Sequence, residues 1–288
     1  MPIVRLTDRA LFTVAGPDAE HLLQNVITTD LDALKAGEIK PGALLTPQGK
    51  ILFDFLVSRA GEDGLRLDVR ADIAADFAKR LTLYKLRAKA EIIKQDQVDV
   101  AVAWENDSTS SENDSSAHWF VDTRFRDVPV RRSYDGQAGA TAGIEAWTAL
   151  RIAHGVAESG SDYALSDAFP HDVLLDQNGG VGFGKGCYVG QEVVSRMKHR
   201  GTARRRALIA KSGSTLPASG TPVTAGGREI GTLGSVVGGD ALAIVRIDRV
   251  KEAIDAGTPV LAGDVPITLA IPAWADFTFP EAAPADGA

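Results

Sequence analysis

An α+β protein of two or three domains that ends in a small β-barrel is the fold the sequence predicts, on three observations. Apolar residues alternate through Ile51, Phe53, Phe55 and Val57 and again through Leu65, Leu67 and Val69, the period of two that strands require. Ile73, Phe77, Leu81 and Tyr84 follow at steps of four, four and three, which is the apolar face of a helix. From about Arg206 short apolar runs are punctuated by Gly226-Gly227 and Gly238-Gly239, the texture of a closed barrel of short strands. A chain of 288 residues is long for one compact core and leaves room for that division.

The elements follow in order. Residues 11–14 read as a strand. Gly16-Pro17-Asp18-Ala19-Glu20 predicts a helix with proline at its first position and acids in its first turn, carrying Leu22, Leu23, Val26 and Ile27 inward. Asn25, Thr28 and Thr29 lead into a loop near Asp30; capping accounts for the threonines, and Asn25 is a candidate ligand contact. Pro41-Gly42 and Pro47-Gln48-Gly49 read as turns, and Gly61-Glu62-Asp63-Gly64 joins the alternating runs into a hairpin. Strands are expected at 90–93, 98–104, 119–121 and 129–131. Ile144, Trp147, Leu150 and Ile152 predict a helix that Gly155 ends, with His154 in its last turn. Residues 105–117 are acidic and serine-rich with nothing apolar to bury, and read as a loop dispensable for folding. Barrel strands are expected at 207–209, 223–225, 229–233, 236–237 and 242–247.

Composition excludes several classes. At 44% hydrophobic and 24% charged residues the chain is an ordinary globular protein. One cysteine rules out an intramolecular disulfide and, with five scattered histidines, speaks against a protein-only zinc site. An iron–sulfur cluster normally takes four protein ligands, so cluster chemistry here is shared or indirect. Residues 1–8 show neither a signal-peptide pattern nor an Arg/Ser-rich presequence, and no apolar window reaches membrane-spanning length. The reading is a cytoplasmic protein without a membrane partner. A net charge of −7 argues against general nucleic-acid binding, yet positions 185–206 hold seven cations against Glu192, a net of +6 that leaves −13 elsewhere.

The sole cysteine stands in Lys185-Gly186-Cys187-Tyr188-Val189-Gly190-Gln191-Glu192, ahead of an expected helix start. A cation and a helix N-terminus both favour the thiolate, so Lys185 and the 190–192 turn point to a functional thiol rather than a packed one.

That octapeptide resembles the signature of the YgfZ-type folate-binding proteins, relatives of the glycine-cleavage T-protein that serve iron–sulfur protein maturation. Residues 12–19 with Leu23-Gln24, Asp30, residues 42–50, Tyr84-Lys85-Leu86-Arg87 and Arg151-Ile152-Ala153-His154-Gly155 resemble further landmarks in the family's order. The resemblance implies a three-domain T-protein-like ring around a channel. A discontinuous folate-binding domain would take 1–45 and 125–204, a ferredoxin-like α+β domain 46–124, a C-terminal β-barrel 205–280, and a frayed tail 281–288. It implies tetrahydrofolate or a derivative as ligand, with iron–sulfur apo-enzymes or assembly proteins as partners. Cys187 and Lys185 would carry the chemistry, and Tyr188, Gln191 and Glu192 would belong to the folate-binding set, the last two also fixing the loop through its backbone amides. Asp172, in Phe169-Pro170-His171-Asp172, would face the pterin where the family more often has glutamate, unless it caps a turn after the proline. Asp76 matches the T-protein carboxylate at the reactive folate edge by helix position, and Arg196 and Lys198 would meet the glutamate tail. T-proteins lack the cysteine, so aminomethyl or one-carbon transfer is the alternative rather than the expectation. A folate-linked tRNA modification factor is a weaker one, resting on residues 200–206.

Overall fold

The computed structural model describes residues 1–61, 64–96, 98–105 and 118–280. Apart from Glu105, the expected loop at 105–117 and the tail at 281–288 lie outside the described residues.

Residues before the signature octapeptide build one nine-stranded sheet in the order β1-β7-β9-β8-β3-β4-β5-β2-β6. Its strands are β1 (Ile3–Leu6), β2 (Arg9–Ala15), β3 (Glu38–Leu45), β4 (Ile51–Ala60), β5 (Gly64–Arg70), β6 (Glu91–Lys94), β7 (Val100–Trp104), β8 (Trp119–Asp122) and β9 (Val130–Ser133). The alternation at 51–58 becomes β4, and its hairpin with β5 pairs Val57 with Leu67. The expected division at 45/46 falls within the β3–β4 hairpin. Helix α2 (Ala74–Lys85) drops Phe77 among Phe12, Phe53 and Phe55 at ring-centroid distances of 5.5–5.6 Å, so the helical period found in the sequence closes this core.

Two local expectations are corrected. Helix α1 (Ala19–Gln24) starts two residues past Pro17, because Asp18 accepts a hydrogen bond from the Lys89 amide at 2.7 Å and pins the chain entering β6. Pro41-Gly42 is no turn. Both lie inside β3, where a Cβ on Gly42 would come within 2.2 Å of Thr29 Oγ1, so the glycine is there for close approach.

Helix α3 (Ile144–Ala153), C-capped at His154 as the sequence predicts, leads through α4 (Gln191–Arg200) to a closed barrel ordered β10-β13-β12-β11-β14-β15. The barrel strands are β10 (Arg205–Lys211), β11 (Pro222–Ala225), β12 (Arg228–Val237), β13 (Asp240–Arg246), β14 (Val260–Ala262) and β15 (Val265–Ala270). The sequence predicts a strand ending at Ile247 and neither helix α5 (Ile247–Asp255) nor β14 and β15; in the structure Ile247 opens α5, whose buried face is Ile247, Val250 and Ala253.

Arg151 and Asp162 tie the barrel to the sheet. Arg151 Nη1 meets Asp162 Oδ2 at 2.7 Å, its Nη2 donates to Ser235 Oγ at 3.1 Å, and Asp162 Oδ1 accepts the Ser235 amide at 2.7 Å. Both charged residues are buried. Removing Asp162 leaves Arg151 with Glu158 alone as its ionic partner, at 3.3 Å, and takes the acceptor from the Glu158 and Ser235 amides in the interior. Asp162→Ala should therefore cost about 3–5 kcal/mol in urea unfolding, against under about 1 kcal/mol for Glu252→Ala in the exposed Arg249–Glu252 pair.

Candidate functional site

The signature loop is anchored from within. Lys185 Nζ donates to the carbonyls of Ile27 at 2.8 Å and Thr29 at 2.7 Å and lies 5.3 Å from the Tyr188 ring centroid. Burial pulls its pKa down to about 8, opposed by Asp30 and Asp32. The expected role of Lys185 as partner of the thiolate is thereby corrected: its ammonium is spent on backbone carbonyls, and it positions the loop. Tyr188 is buried among Leu45, Ile51 and Val194, which pushes its hydroxyl up to about 12. Gly190 caps α4 at φ +80, where a Cβ would meet the Thr46 carbonyl at 2.6 Å, so the β3–β4 turn braces the helix start. Between the two anchors Cys187 is exposed and free. An exposed thiol on a fixed loop can ligate a soft metal or act as a nucleophile once deprotonated.

The residues after it serve the helix. Gln191 opens α4, its amide donating to the Tyr188 carbonyl at 3.2 Å. Glu192 pairs with Arg196 one turn on, so neither fixes the loop as expected: the carboxylate is taken up within the helix. Lys198 Nζ sits 3.6 Å from the Phe183 ring centroid, beside His171 rather than in the central cavity.

Three more candidates are placed elsewhere. Asn25 is the C-cap of α1, donating to the His21 carbonyl at 2.9 Å. Asp76 is exposed in the first turn of α2. Asp172 is buried and closes the turn after Pro170: its Oδ2 accepts the Phe169 amide at 3.1 Å and lies 3.8 Å from Arg205 Nε. The turn-capping alternative describes its geometry, while its neighbours Val173 and Leu175 line the central cavity.

That cavity gathers residues that belong to none of the sequence motifs. Arg9, Asp54, Arg124, Glu158 and Tyr163 meet there against Phe55, Leu56, Val173 and Leu175. Asp54 accepts from Tyr163 Oη at 2.9 Å and Ser159 Oγ at 2.5 Å, and Glu158 faces Arg124 at 3.2 Å and Arg151 at 3.3 Å. The two arginines hold the Glu158 carboxyl well below the usual range against the cost of burial. Two signals pointed there: Asp54 interrupts an apolar strand, and Glu158 follows the Arg151–Gly155 landmark closely. Paired carboxylates and apolar walls suit the polar edge and flat body of a pteridine. The space does not, since about 30 Å³ holds one or two waters, and tetrahydrofolate does not fit the cavity as it stands.

A nine-stranded sheet followed by a closed six-stranded barrel makes a T-protein-like fold. The aminomethyltransferase T of the glycine cleavage system from Bartonella henselae matches 96% of this chain and 86% of its own at a TM-score of 0.69 and 17% identity, which shows the fold alone. Residues 204–277 match the CAF17 C-terminal beta-barrel domain. The mitochondrial iron-sulfur cluster assembly factor IBA57 homologue of Pyricularia oryzae is 30% identical over 89% of this chain and 75% of its own length. The homologue of Chaetomium globosum is 32% identical over 72% and 55%, and the mouse factor 28% over 94% and 84%. This chain belongs to the IBA57 family of iron–sulfur cluster assembly factors, homologues of YgfZ. It spans about half the length of the first relatives it matches, 55% and 52%. All three of these relatives are named mitochondrial, which overturns the cytoplasmic expectation drawn from residues 1–8. The lack of a recognisable leader in one stretch of chain carries no information on compartment.

Asp172 gives a test of this packing. Burial raises its pKa to about 6 from 3.8, so between those values the unfolded chain ionises while the folded chain stays protonated. Stability falls as pH rises through that window and then levels. Asp172→Asn should thus gain stability over the parent at pH 7.5 by up to about 3 kcal/mol, and gain little at pH 3.5. Denaturant titrations at the two pH values check the difference.

Proposed function

We propose that this protein serves iron–sulfur cluster assembly by offering Cys187 as an exchangeable ligand or sulfur-handling thiol to a cluster that a partner protein completes. The observation that carries the reading is the exposure of Cys187 on a loop whose two neighbouring side chains, Lys185 and Tyr188, are drawn inward as anchors. A lone thiol cannot hold a cluster, so the remaining ligands come from an assembly protein or apo-enzyme. The names of its relatives support the same role. Transfer chemistry is the lesser reading, because the likeness to the aminomethyltransferase is one of fold.

Tetrahydrofolate enters the proposal as a ligand of the central cavity, whose groups match its chemistry and whose walls would have to part to admit it.

Cys187→Ser should unfold at the parent's Tm, because the side chain is exposed, and should fail to restore iron–sulfur enzyme activity in cells lacking the native protein. Full rescue by serine would show that the sulfur is not required. Calorimetry with tetrahydrofolate tests the ligand separately: the parent should bind, and Tyr163→Phe should bind roughly fivefold more weakly through one lost hydrogen bond of about 1 kcal/mol. No heat of binding from the parent would remove folate while leaving the thiol reading intact.

A further inference from the structure

The nine-stranded sheet ends differently at its two edges. At the β1 edge the chain covers itself: the Ile3 amide donates to Thr141 Oγ1 at 2.9 Å, and the Ile3 carbonyl accepts the Thr141 and Ala142 amides at 2.8 and 3.0 Å. The β6 edge is open. Lys94 lies opposite Phe12, Ile93 opposite Thr13 and Ile92 opposite Val14, and the Gln95 amide donates to the Leu11 carbonyl at 2.8 Å. Hydrogen-bonded and non-hydrogen-bonded pairs alternate along an antiparallel ladder. Gln95 and Ile93 therefore turn their backbone groups toward β2, while Ile92 and Lys94 turn theirs outward, where no described residue bonds to them.

The side chains along this edge are basic and partly apolar. Over residues 85–94, Lys85, Arg87, Lys89 and Lys94 stand against Glu91, a net of +3 that leaves −10 elsewhere. None of the four cations is in a salt bridge among the described residues, and Arg87, Lys89 and Lys94 are exposed. Ile92 packs against the core that α2 closes; Ile93, on the opposite face of the strand, is 49% exposed. Leu86, 86% exposed, turns the corner from α2 toward β6 at φ +45. Glycine takes such a corner without strain, whereas a leucine is held there against its preference.

We propose that β6 is a docking strand, which takes an acidic, extended segment of a partner protein as a further strand of the sheet. The segment's backbone bonds the N–H and C=O groups of Ile92 and Lys94. A carboxylate opposite Lys94 pairs with its ammonium, an apolar side chain opposite Ile93 covers it, and further acids meet Arg87 and Lys89 where the segment runs past the start of β6. Charge selects the occupant. Lysines on an open edge repel another basic edge, a second copy of β6 included, and admit an acidic one. A nucleic acid or an anionic lipid surface would meet the cations but has no peptide groups to offer Ile92 and Lys94. No residue of β6 lines the central cavity, and the inference stands without Cys187 or folate.

The test uses the full chain and three capped heptapeptides: one alternating glutamate and valine, one alternating lysine and valine, and the acidic one N-methylated at its glutamates, which removes the edge that would face β6. Calorimetry measures affinity, and amide hydrogen exchange by NMR reads the strand. At about ten times its Kd the acidic peptide should slow exchange of the Ile92 and Lys94 amides about tenfold, leaving the Ile93 amide, already bonded to Thr13, little changed. The basic and N-methylated peptides should do neither. Lys94→Glu should lower affinity about tenfold by setting like charges opposite each other. Lys94→Pro should bind about fivefold more weakly than Lys94→Ala through the lost outward N–H, and both should unfold close to the parent's Tm, because that N–H makes no bond within the sheet. No binding of the acidic peptide, equal binding of the N-methylated one, or unprotected Ile92 and Lys94 amides in the complex each overturns the proposal. Vesicles of phosphatidylglycerol or a DNA duplex that bind through Lys94 without protecting those amides would assign the face to an anionic surface instead, and a dimer of the chain that protects them would assign it to a second copy.

Discussion

A line of alternating buried charges sets the arrangement on which the rest depends. Arg9 meets Asp68 at 2.7 Å, Asp68 meets Arg132 at 2.7 Å, and Arg132 approaches Asp122 at 3.9 Å. Asp122 holds Arg124 at 2.8 Å, Arg124 reaches Glu158 at 3.2 Å, and Arg151 joins Glu158 to Asp162 at 3.3 and 2.7 Å. The run passes from β2 and β5 through β9 and β8 to the loop after α3, and ends on the barrel at Ser235. Buried ion pairs are weak sources of net stability because desolvation offsets attraction. Their force is conditional: each member is tolerable only while its neighbours stand in place, so a slipped strand strands a charge. Arg132 shows how near the balance lies, fully buried with Nε and Nη2 lacking hydrogen bonds among the described residues. The line therefore selects one register and one docking of barrel on sheet.

The same charges set the character of the central cavity. Arg9, Arg124 and Glu158 belong both to the line and to the cavity wall, so those wall groups are already paired. A ligand entering there competes with existing contacts rather than filling vacant ones. The cysteine loop is built the opposite way. Its anchors are satisfied inward by the Ile27 and Thr29 carbonyls and by apolar packing, which leaves Cys187 free to react without disturbing the fold. Cavity and thiol are thus different kinds of site, one guarded by structure and one separated from it.

Much of the scaffold was legible because period and burial agree. Phe53, Phe55 and Phe77 fell where alternation and helical spacing put them, and the Gly226-Gly227 and Gly238-Gly239 turns bound β12 at its two ends. What escaped depended on contacts distant in sequence. Gly42 looks like a turn residue until Thr29 is seen against it, and Pro17 looks like a helix start until Lys89 claims Asp18. For the site, the octapeptide singles out Cys187, which the structure leaves exposed, and Tyr188, which it buries in the core. It did not reveal what Lys185 touches, because its partners are carbonyls more than 150 positions away. The cavity has a related basis: Asp54 and Glu158 stand out singly in their segments, but nothing in the sequence joins them to Tyr163, which they meet only through the fold.

The basic run at 185–206 shows why counting charges along a chain misjudges the field around it. Of its seven cations, Lys185 is drawn inward, Arg196 is matched by Glu192, Arg205 by Asp167 and Arg206 by Asp176. Three of those four cations are held by acids, and two of the acids, Asp167 and Asp176, come from outside the run. Lys198, Arg200 and Arg204 have no salt bridge among the described residues, and they occupy the last turn of α4 and the approach to β10. A net of +6 in sequence thus becomes a patch of three unpaired cations at one helix end. Coulomb interaction between exposed charges fades over about 8 Å at physiological salt. Such a patch can steer an acidic surface toward that helix end, but it lacks the reach and density that backbone contacts to a nucleic acid demand.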